Sequence, residues 1–375
     1  MTTYRSFAKD LFFLFVFNTV YLCTLLTKEP IKESLVHPWL YIQYFLNYKF
    51  EFIKRGLIGS FFQFFGIEPN QNTIIIFSIV VANLFFILFY LMAKKAFRKQ
   101  NDTHFFLFIS LFLLSAATAM QFAYDIGRFD YINLLLLMSI IILLTLSFKQ
   151  YYIILIALLL FLMLINHEAI LFIGIPLVMT ISYHEVQKHN YPPQLLYVEV
   201  TIIIISLLLL FLFGKADNTT LASVNLVIHQ TFPTLYTVDA LSVWQNSFAD
   251  NIAITLSQYQ YVWKSFFVAL PLVGLYIYLF SSLLEWSHMS FSQKLIFLSP
   301  FGILPMFILG HDFFRWLSML IIIFFISFIY LLREKQSPLQ YNKKELFAII
   351  IIFLYTFMGP LGVMDAFPKN CLSNI

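Results

Sequence analysis

Long apolar runs separated by short polar breaks extend along the whole chain. We count about eleven such runs, at residues 10–27, 73–93, 104–122, 131–148, 151–165, 169–184, 196–213, 264–284, 294–309, 313–332 and 346–363. Most are long enough, as helices, to cross the ~30 Å hydrocarbon core of a bilayer. The pattern predicts an all-α, polytopic transmembrane helical bundle of about 11 spans, with residues 1–375 forming a single transmembrane domain.

Basic residues in the turns orient these spans. Clusters of Lys and Arg occur at residues 94–99 and 333–344, and Arg5 and Lys9 precede the first run. Cytoplasmic loops of membrane proteins are enriched in Lys and Arg. We therefore predict a cytoplasmic N-terminus and a C-terminus on the outer side.

The stretch 151–184 admits one long helix or two short ones around Asn166-His167-Glu168. Two short helices keep both basic clusters on the cytoplasmic side, so we favour them. A helix of about 15 residues extends only ~22 Å at 1.5 Å per residue. The break at His167 and Glu168 is therefore expected below the outer surface, at the bottom of a recess.

Two segments on the predicted outer side are long. Residues 28–72 mix aromatic and charged residues, as helices lying in the membrane interface do. Residues 214–263 begin polar and end in an aromatic stretch, whose Tyr and Trp residues either stack on sugar rings or mark the headgroup level. Both are predicted to be outer loops that contain interfacial helices in contact with membrane lipid.

Composition narrows the class of protein. The chain is 61% hydrophobic and 11% charged, whereas soluble domains carry about 25% charged residues. A net charge of +4 gives no reason to expect a nucleic-acid partner. Cys23 lies within the first apolar run and far from Cys371 in sequence, so a disulfide framework is not expected.

Four polar breaks fall on the predicted outer face, at residues 54–59, 125–130, 166–168 and 310–316. Ionisable groups near a bilayer are costly, and their clustering on one face indicates function. The question is which chemistry these side chains perform.

An Asp-x-x-Arg spacing occurs twice, as Asp125/Arg128 and Asp312/Arg315. Three residues apart on a helix, the two side chains share a face, so a local ion pair is one reading. The other is an anion site, because both arginines come near predicted helix starts, where free N–H groups favour anions. Arg binds phosphate through paired hydrogen bonds. Arg128 and Arg315 are thus candidate diphosphate ligands, with Asp125 and the nearby Asp130 in the same site.

Lys54 and Arg55 add two cations beside Gly56 and Gly59 in the first outer loop. Glycine allows a backbone to approach a bulky anion closely. The alternative is a basic pair whose side chains reach lipid headgroups. Lys54 and Arg55 are included as candidate ligands.

His167 and Glu168, and also His311 and Asp312, are candidate catalytic groups. A carboxylate in a recess is a plausible general base for a hydroxyl, although His167 and Glu168 could instead only cap the helix break. The four side chains could ligate a metal, but their spacing is not that of a metal site. We predict neither a metal nor a cofactor.

Many spans, a long first outer loop and Arg, Asp, Glu and His at outer helix ends resemble the GT-C superfamily of multi-spanning glycosyltransferases. Within it, the pattern is most similar to bacterial O-antigen and capsule repeat-unit polymerases. The resemblance covers the chain as an architecture. It implies a multi-pass enzyme of the bacterial inner membrane, with a cytoplasmic N-terminus and a periplasmic C-terminus.

The resemblance also implies a reaction. A sugar hydroxyl would attack the anomeric carbon of an oligosaccharide linked to polyprenyl diphosphate, such as undecaprenyl diphosphate, without a metal. Arg55, Arg128 and Arg315 would hold the diphosphate, and Glu168 or Asp312 would be the base. A chain-length regulator is a possible partner.

The chain departs from the superfamily pattern in two respects. In the superfamily, an acidic residue in the first outer loop often carries catalysis, and this chain has no Asp-x-Asp pair there. The acidic residues available in its first outer loop are Glu29, Glu33, Glu51 and Glu68. The loop motif of arginine and a distant glycine, found in some polymerases, is also not evident.

Two other functions fit the sequence less well. A flippase or other transporter of lipid-linked oligosaccharide would also hold a diphosphate with arginines, but it should carry basic residues along its span interiors. A cell-surface acyltransferase would use His311 and Asp312, but its usual cytoplasmic donor does not suit an outer site.

Overall fold

The computed structural model describes residues 2–29, 34–49, 51–215, 217–231 and 248–363; at residues 2–7, 227, 228, 230, 231 and 248 it describes the backbone alone. Within these ranges every regular element is a helix, as predicted. Glu33 and Cys371 lie outside the described residues, as do residues 232–247 of the predicted second outer loop.

Seventeen α-helices and three short 3₁₀ helices lie in the described ranges. The α-helices are α1 (Thr2–Thr27), α2 (Pro38–Gln43), α3 (Gly56–Phe64), α4 (Gln71–Ala96), α5 (Asp102–Leu113), α6 (Ala119–Tyr124), α7 (Asp130–Leu144), α8 (Tyr151–Asn166), α9 (Ile170–Ile173), α10 (Ile175–Gln187), α11 (Gln194–Phe213), α12 (Asn218–Thr231), α13 (Phe248–Leu283), α14 (Phe291–Leu298), α15 (Met306–Leu309), α16 (Phe313–Leu332) and α17 (Lys343–Thr356). The 3₁₀ helices are Phe97–Lys99, Trp286–His288 and Ser299–Ile303.

Six helical stretches in the described residues are long and apolar enough to cross a membrane, which supports a membrane protein. They are Ala8–Thr27, Gln71–Lys99, Gln194–Phe213, Ala249–Leu283, Phe291–Leu309 and Phe313–Leu332. Asp102–Leu113, Asp130–Leu144 and Tyr151–Asn166 are apolar but shorter. The count of about 11 spans is therefore not confirmed, and the orientation of the termini stays a prediction.

Local chemistry explains why some predicted spans are interrupted. Run 104–122 divides into α5 and α6 because the Thr118 hydroxyl donates to the Phe112 carbonyl and Ser115 Oγ accepts from the Ala117 N–H. Such side-chain bonds compete with the helical ladder. Run 294–309 contains Pro300 and Pro305, which lack the N–H that helix continuation needs.

The predicted break in 151–184 is present. Helix α8 ends at Asn166, and His167 is extended, with φ −159° and ψ 118°. Its Nδ1 accepts a hydrogen bond from the Ala169 N–H at 3.1 Å, which stabilises the turn into α9. The stretch is therefore broken where the sequence favoured a break, into α8 on one side and α9 and α10 on the other. That it forms two membrane spans stays a prediction.

The second long loop is more helical than predicted. The expected span 264–284 is the C-terminal part of α13, which has 36 residues and begins at Phe248. Helix α12 also lies in the predicted loop, and α2 and α3 lie in the first loop. Whether α2, α3 and α12 rest in the membrane interface stays a prediction.

The helices belong to two compact units. The first unit comprises Met1–Thr27, Asn83–Tyr124 and Ile252–Ile375. At its centre is α16, in which every residue is buried. Rings pack against this helix, for example Phe280 against Phe328 with ring centroids 4.6 Å apart. Because protein surrounds α16, this helix cannot contact lipid, and only the other helices of the unit can.

The second unit comprises Lys28–Ala82 and Asp125–Asn251. Helix α8 packs against α7, α11 and α3, while α10 packs against α7 and α11. Since α3 begins directly after Arg55 and α8 ends directly before His167, this packing positions two of the predicted polar breaks.

A close backbone approach at Gly59 holds α3 in place. A Cβ at Gly59 would lie 1.9 Å from the Leu46 carbonyl oxygen, and a backbone atom cannot rotate away. Gly59→Ala should destabilise the protein by roughly 1–3 kcal/mol. Gly274→Ala in α13 is the matched control, because its Cβ would meet nothing within 4 Å. Thermal unfolding in detergent tests this: equal melting temperatures for the two variants would contradict the contact.

Candidate functional site

The structure divides the predicted site residues between the two units. Seven belong to the second unit: Lys54, Arg55, Asp125, Arg128, Asp130, His167 and Glu168. Three belong to the first unit: His311, Asp312 and Arg315. Each group forms its own contacts and is described separately.

A bidentate ion pair between Arg55 and Glu168 is the centre of the second unit's site. Arg55 Nε donates to Glu168 Oε2 at 3.1 Å, and Nη2 donates to Oε1 at 2.5 Å. The Arg55 side chain is 13% exposed and that of Glu168 is 35% exposed. Both carboxylate oxygens are thus engaged, while one side of the carboxylate still faces open space.

Backbone contacts place Arg55 at this position. Arg55 precedes α3 in the left-handed conformation, with φ 65°, which is unfavourable for a residue other than glycine. The preceding N–H, that of Lys54, donates to the Gly214 carbonyl at the end of α11 at 3.1 Å. Strained backbone that is held by its surroundings is common at functional sites.

Lys54 interacts electrostatically with Glu168 and with two further cations, Arg55 and Lys215. Burial lowers the pKa of Lys54, Glu168 raises it, and the positive charges of Arg55 and Lys215 lower it further. These interactions place Glu168, Arg55 and Lys215 near Lys54. When Lys54 is protonated, the group carries three positive charges against one negative charge, and its field favours an anion.

The cations also determine the charge of Glu168. Burial alone would raise the pKa of this carboxyl, but Arg55, His167 and Lys54 outweigh burial and hold the pKa well below its usual range. Glu168 is therefore ionised. While it is paired with Arg55, it is a weak base, because a low pKa means a low affinity for a proton.

A buried amide network connects the helix break to the segment before α7. Asn166 Nδ2 donates to Asn133 Oδ1 at 2.8 Å and to the Phe129 carbonyl at 3.1 Å. Asn133 Nδ2 lies 3.5 Å from the His167 carbonyl. Asn166 Oδ1 is buried without a hydrogen-bond partner among the described residues. The network places Phe129 and Asn133 beside Asn166 and His167.

Asp125 and Arg128 form the predicted ion pair, with Arg128 Nε 2.9 Å from Oδ1 and 2.8 Å from Oδ2. The expectation that they share a helix face is wrong. Both lie in a turn between α6 and α7, at which Gly127 has φ 96°. The Tyr44 hydroxyl donates to the Gly127 carbonyl at 3.0 Å and fixes this turn.

Lys28 and Asp130 complete this part of the site. Burial lowers the pKa of Lys28 to about 8, opposed by Asp125 and reinforced by Arg128. Lys28 is thus close to the Asp125–Arg128 pair. Asp130 is buried at the first position of α7, where the positive end of the helix dipole favours a carboxylate.

The first unit's group is a second local ion pair. Arg315 Nη1 donates to Asp312 Oδ2, and the guanidinium lies 4.3 Å from the centroid of the Trp316 ring. Trp316 Nε1 donates to the Gly310 carbonyl at 3.1 Å. Asp312 caps α16, and Arg315 lies in its first turn, as predicted. His311 is partly buried beside them.

Sequence reasoning missed Lys28, Lys215 and Asn133. Each has a local signal: Lys28 directly follows an apolar run, Lys215 comes two residues after another, and Asn133 is a polar residue inside a third. None of these signals identifies the neighbours that the fold supplies. Within the ranges that the structure describes, no group of three or more His, Cys, Asp or Glu side chains is arranged to hold a metal ion.

No protein-family model, curated protein or solved structure matches this chain. The function of the site therefore has to be inferred from its own charges, contacts and surroundings.

The depressed pKa of Glu168 predicts an acid-sensitive second unit. A lowered carboxyl pKa contributes stability above the ordinary value of 4.5, and this is lost as pH falls through the folded value. Glu168→Gln should abolish this loss. Arg55→Met should reverse the direction of the pH dependence, so that stability rises as pH falls, because burial then raises the pKa of the unpaired carboxyl. This variant should also lose roughly 1–3 kcal/mol of stability at neutral pH.

Unfolding in detergent at stepped pH measures this effect. If the wild type and Glu168→Gln lose stability in parallel below pH 4.5, the ionic pairing of Glu168 is wrong.

Proposed function

We propose that this protein is a glycosyltransferase of the bacterial inner membrane. In this proposal it polymerises or extends an oligosaccharide linked to polyprenyl diphosphate, for capsule or O-antigen, on the periplasmic face. The observation that carries the proposal is the excess of positive charge around Lys54, where Lys54, Arg55 and Lys215 accompany a single carboxylate, that of Glu168.

The excess charge favours a multivalent anion. Lys54 and Arg55 precede α3, and Lys215 follows α11, a helix long and apolar enough to span a membrane. The end of a spanning helix lies at the headgroup level, where a lipid diphosphate resides. Arg suits phosphate because its planar fork of donors matches two phosphate oxygens at once.

The surface next to the cations suits a lipid attached to the diphosphate. Helix α3 begins beside Arg55 and ends in exposed phenyl rings, of which Phe64 is 84% exposed. A ligand with a charged head and a long hydrocarbon tail could contact both ends of α3. A soluble nucleotide sugar has no hydrocarbon tail that could contact the apolar end of α3.

A cavity in the second unit suits a sugar. It has a volume of about 300 Å³, and its lining includes Tyr44, Phe45, Asn47 and Gln63. This volume is at the small end for ligand pockets. Aromatic faces and amide groups suit the apolar faces and hydroxyls of a sugar ring. Tyr44 links the cavity to the Asp125–Arg128 turn through Gly127.

In the proposed reaction, a hydroxyl oxygen of the acceptor sugar attacks the anomeric carbon of the donor. The bond from that carbon to the diphosphate oxygen breaks, and the diphosphate leaves with the electron pair. Nearby cations stabilise the charge that develops on it. Glu168 accepts the hydroxyl proton, which requires that its pKa rise once the diphosphate draws Arg55 away. Asp312 remains the second candidate base, and Arg128 and Arg315 remain candidate diphosphate ligands.

A second candidate function is transport of the same lipid-linked oligosaccharide across the membrane. Glu199 favours it, because this fully buried carboxyl lies in α11, and ionisable groups inside spans often mark transport pathways or proton relays. Accumulated intermediates distinguish the two functions. Loss of a polymerase leaves single repeat units attached to the lipid core, whereas loss of a flippase leaves no repeat units there.

Single substitutions of Arg128, Arg315 and Glu168 to Gln test the proposal in cells that normally make this protein. Each should shorten the surface polysaccharide to single repeat units. Loss of an arginine removes a group that stabilises the leaving charge, which typically slows a reaction about 10²–10³-fold. Loss of Glu168 removes the base, which typically slows a reaction about 10²–10⁴-fold. Lys188→Gln, an exposed lysine at the end of α10, is the matched control. Gel profiles of the polysaccharide give the readout. Long chains in all three variants, at normal protein levels, would refute the assignment.

A further inference from the structure

Glu199 interrupts a helix that is otherwise suited to lipid. It lies in α11, where most side chains are apolar and at least partly exposed, but its own exposure is 0%. The α11 face that carries Glu199 and Ser206 is buried, and α11 packs against α8 and α10. The proposed transfer reaction makes no use of this carboxyl.

The hydrogen bonds of Glu199 leave half of the carboxyl unsatisfied. The Ser182 hydroxyl on α10 donates to Oε1 at 2.6 Å. Oε2 is buried and has no hydrogen-bond partner within the described part of the chain. Among the described residues, Glu199 also forms no salt bridge with Lys, Arg or His.

This environment disfavours a negative charge. A carboxylate removed from water needs a counter-ion or several donors, and one hydroxyl does not suffice. The protonated form leaves only a neutral O–H to be satisfied, which is the smaller penalty. Ser182 fits that form as well, because its hydroxyl donates to the carbonyl oxygen of a protonated carboxyl.

We propose that Glu199 carries a proton at neutral pH and that Glu199, Ser182 and Glu185 form an internal proton-binding site between α10 and α11. The ligand is a proton, exchanged with the side of the membrane on which the turn between these helices lies. The site is independent of the choice between transfer and transport.

Several other titratable groups lie on the helices that pack against α11, and one of them, Glu185, provides the exchange route. Helix α8 carries Tyr151 and Tyr152 in its first turn, and α10 carries Tyr183, His184 and Glu185. Glu185 is one helical turn after Ser182 and so shares its face of α10. It is almost fully buried, and Asn190 Nδ2 donates to its Oε2 at 2.6 Å.

Asn190 is exposed in the turn between α10 and α11. A proton can therefore pass from solvent near Asn190 to Glu185, and from there past Ser182 to Glu199.

Infrared spectroscopy of the protein in lipid nanodiscs tests the proposal. At neutral pH, the wild type should show a protonated-carboxyl C=O band that Glu199→Gln lacks. In D₂O this band should shift, and Glu185→Gln should slow the shift several-fold. Glu199→Gln should unfold at the wild-type temperature, because Gln resembles the neutral carboxyl in shape and charge.

Two results would overturn the proposal. Identical carboxyl bands in the wild type and Glu199→Gln would mean that Glu199 is ionised. A band that does not shift in D₂O would mean that its proton is locked in place.

If Glu199→Gln does not fold, Ser182→Ala serves instead. Loss of the donated hydrogen bond should raise the frequency of the band without removing it. An unchanged spectrum in this variant would equally contradict the site.

Discussion

The ion pair between Arg55 and Glu168 is the constraint on which the second unit's site depends. It joins residues 113 positions apart and connects the start of α3 to the break after α8. Removing one partner would leave a partly buried charge unpaired, and this costs more free energy than the loss of the attraction itself. The pair therefore holds both the positions and the charges of the neighbouring groups.

In the proposed function, the same pair would keep the site inactive until a ligand binds. Glu168 occupies the guanidinium that an external anion would bind, and Arg55 lowers the basicity that Glu168 would need as a base. Lys54 and Lys215 keep the group positively charged overall, so it still attracts an anion. A diphosphate that replaces Glu168 on Arg55 would release the base in the same event. Donor binding and acceptor activation would then be coupled through one side chain.

The apolar pattern predicted most helices because each side chain's partition between lipid and water is a local property. It predicted the break at Asn166-His167-Glu168, where polar groups end α8, and both Asp-x-x-Arg pairs. The pattern did not show that Ser115, Thr118, Pro300 and Pro305 interrupt helices within apolar runs, and the span count is not confirmed. Lys28 and Lys215 could not be assigned, because their neighbours come from distant segments that only the fold brings together: Asp125 and Arg128 lie near Lys28, and Lys54 lies near Lys215.

The affinity of Glu168→Gln for inorganic pyrophosphate, measured calorimetrically in lipid nanodiscs, tests the central claim most directly. If Glu168 competes with the anion for Arg55, this variant should bind pyrophosphate about tenfold more tightly than the wild type. Arg55→Gln should bind it about tenfold more weakly. Equal or weaker binding by Glu168→Gln would show that Arg55 is not the contested group and would contradict the account.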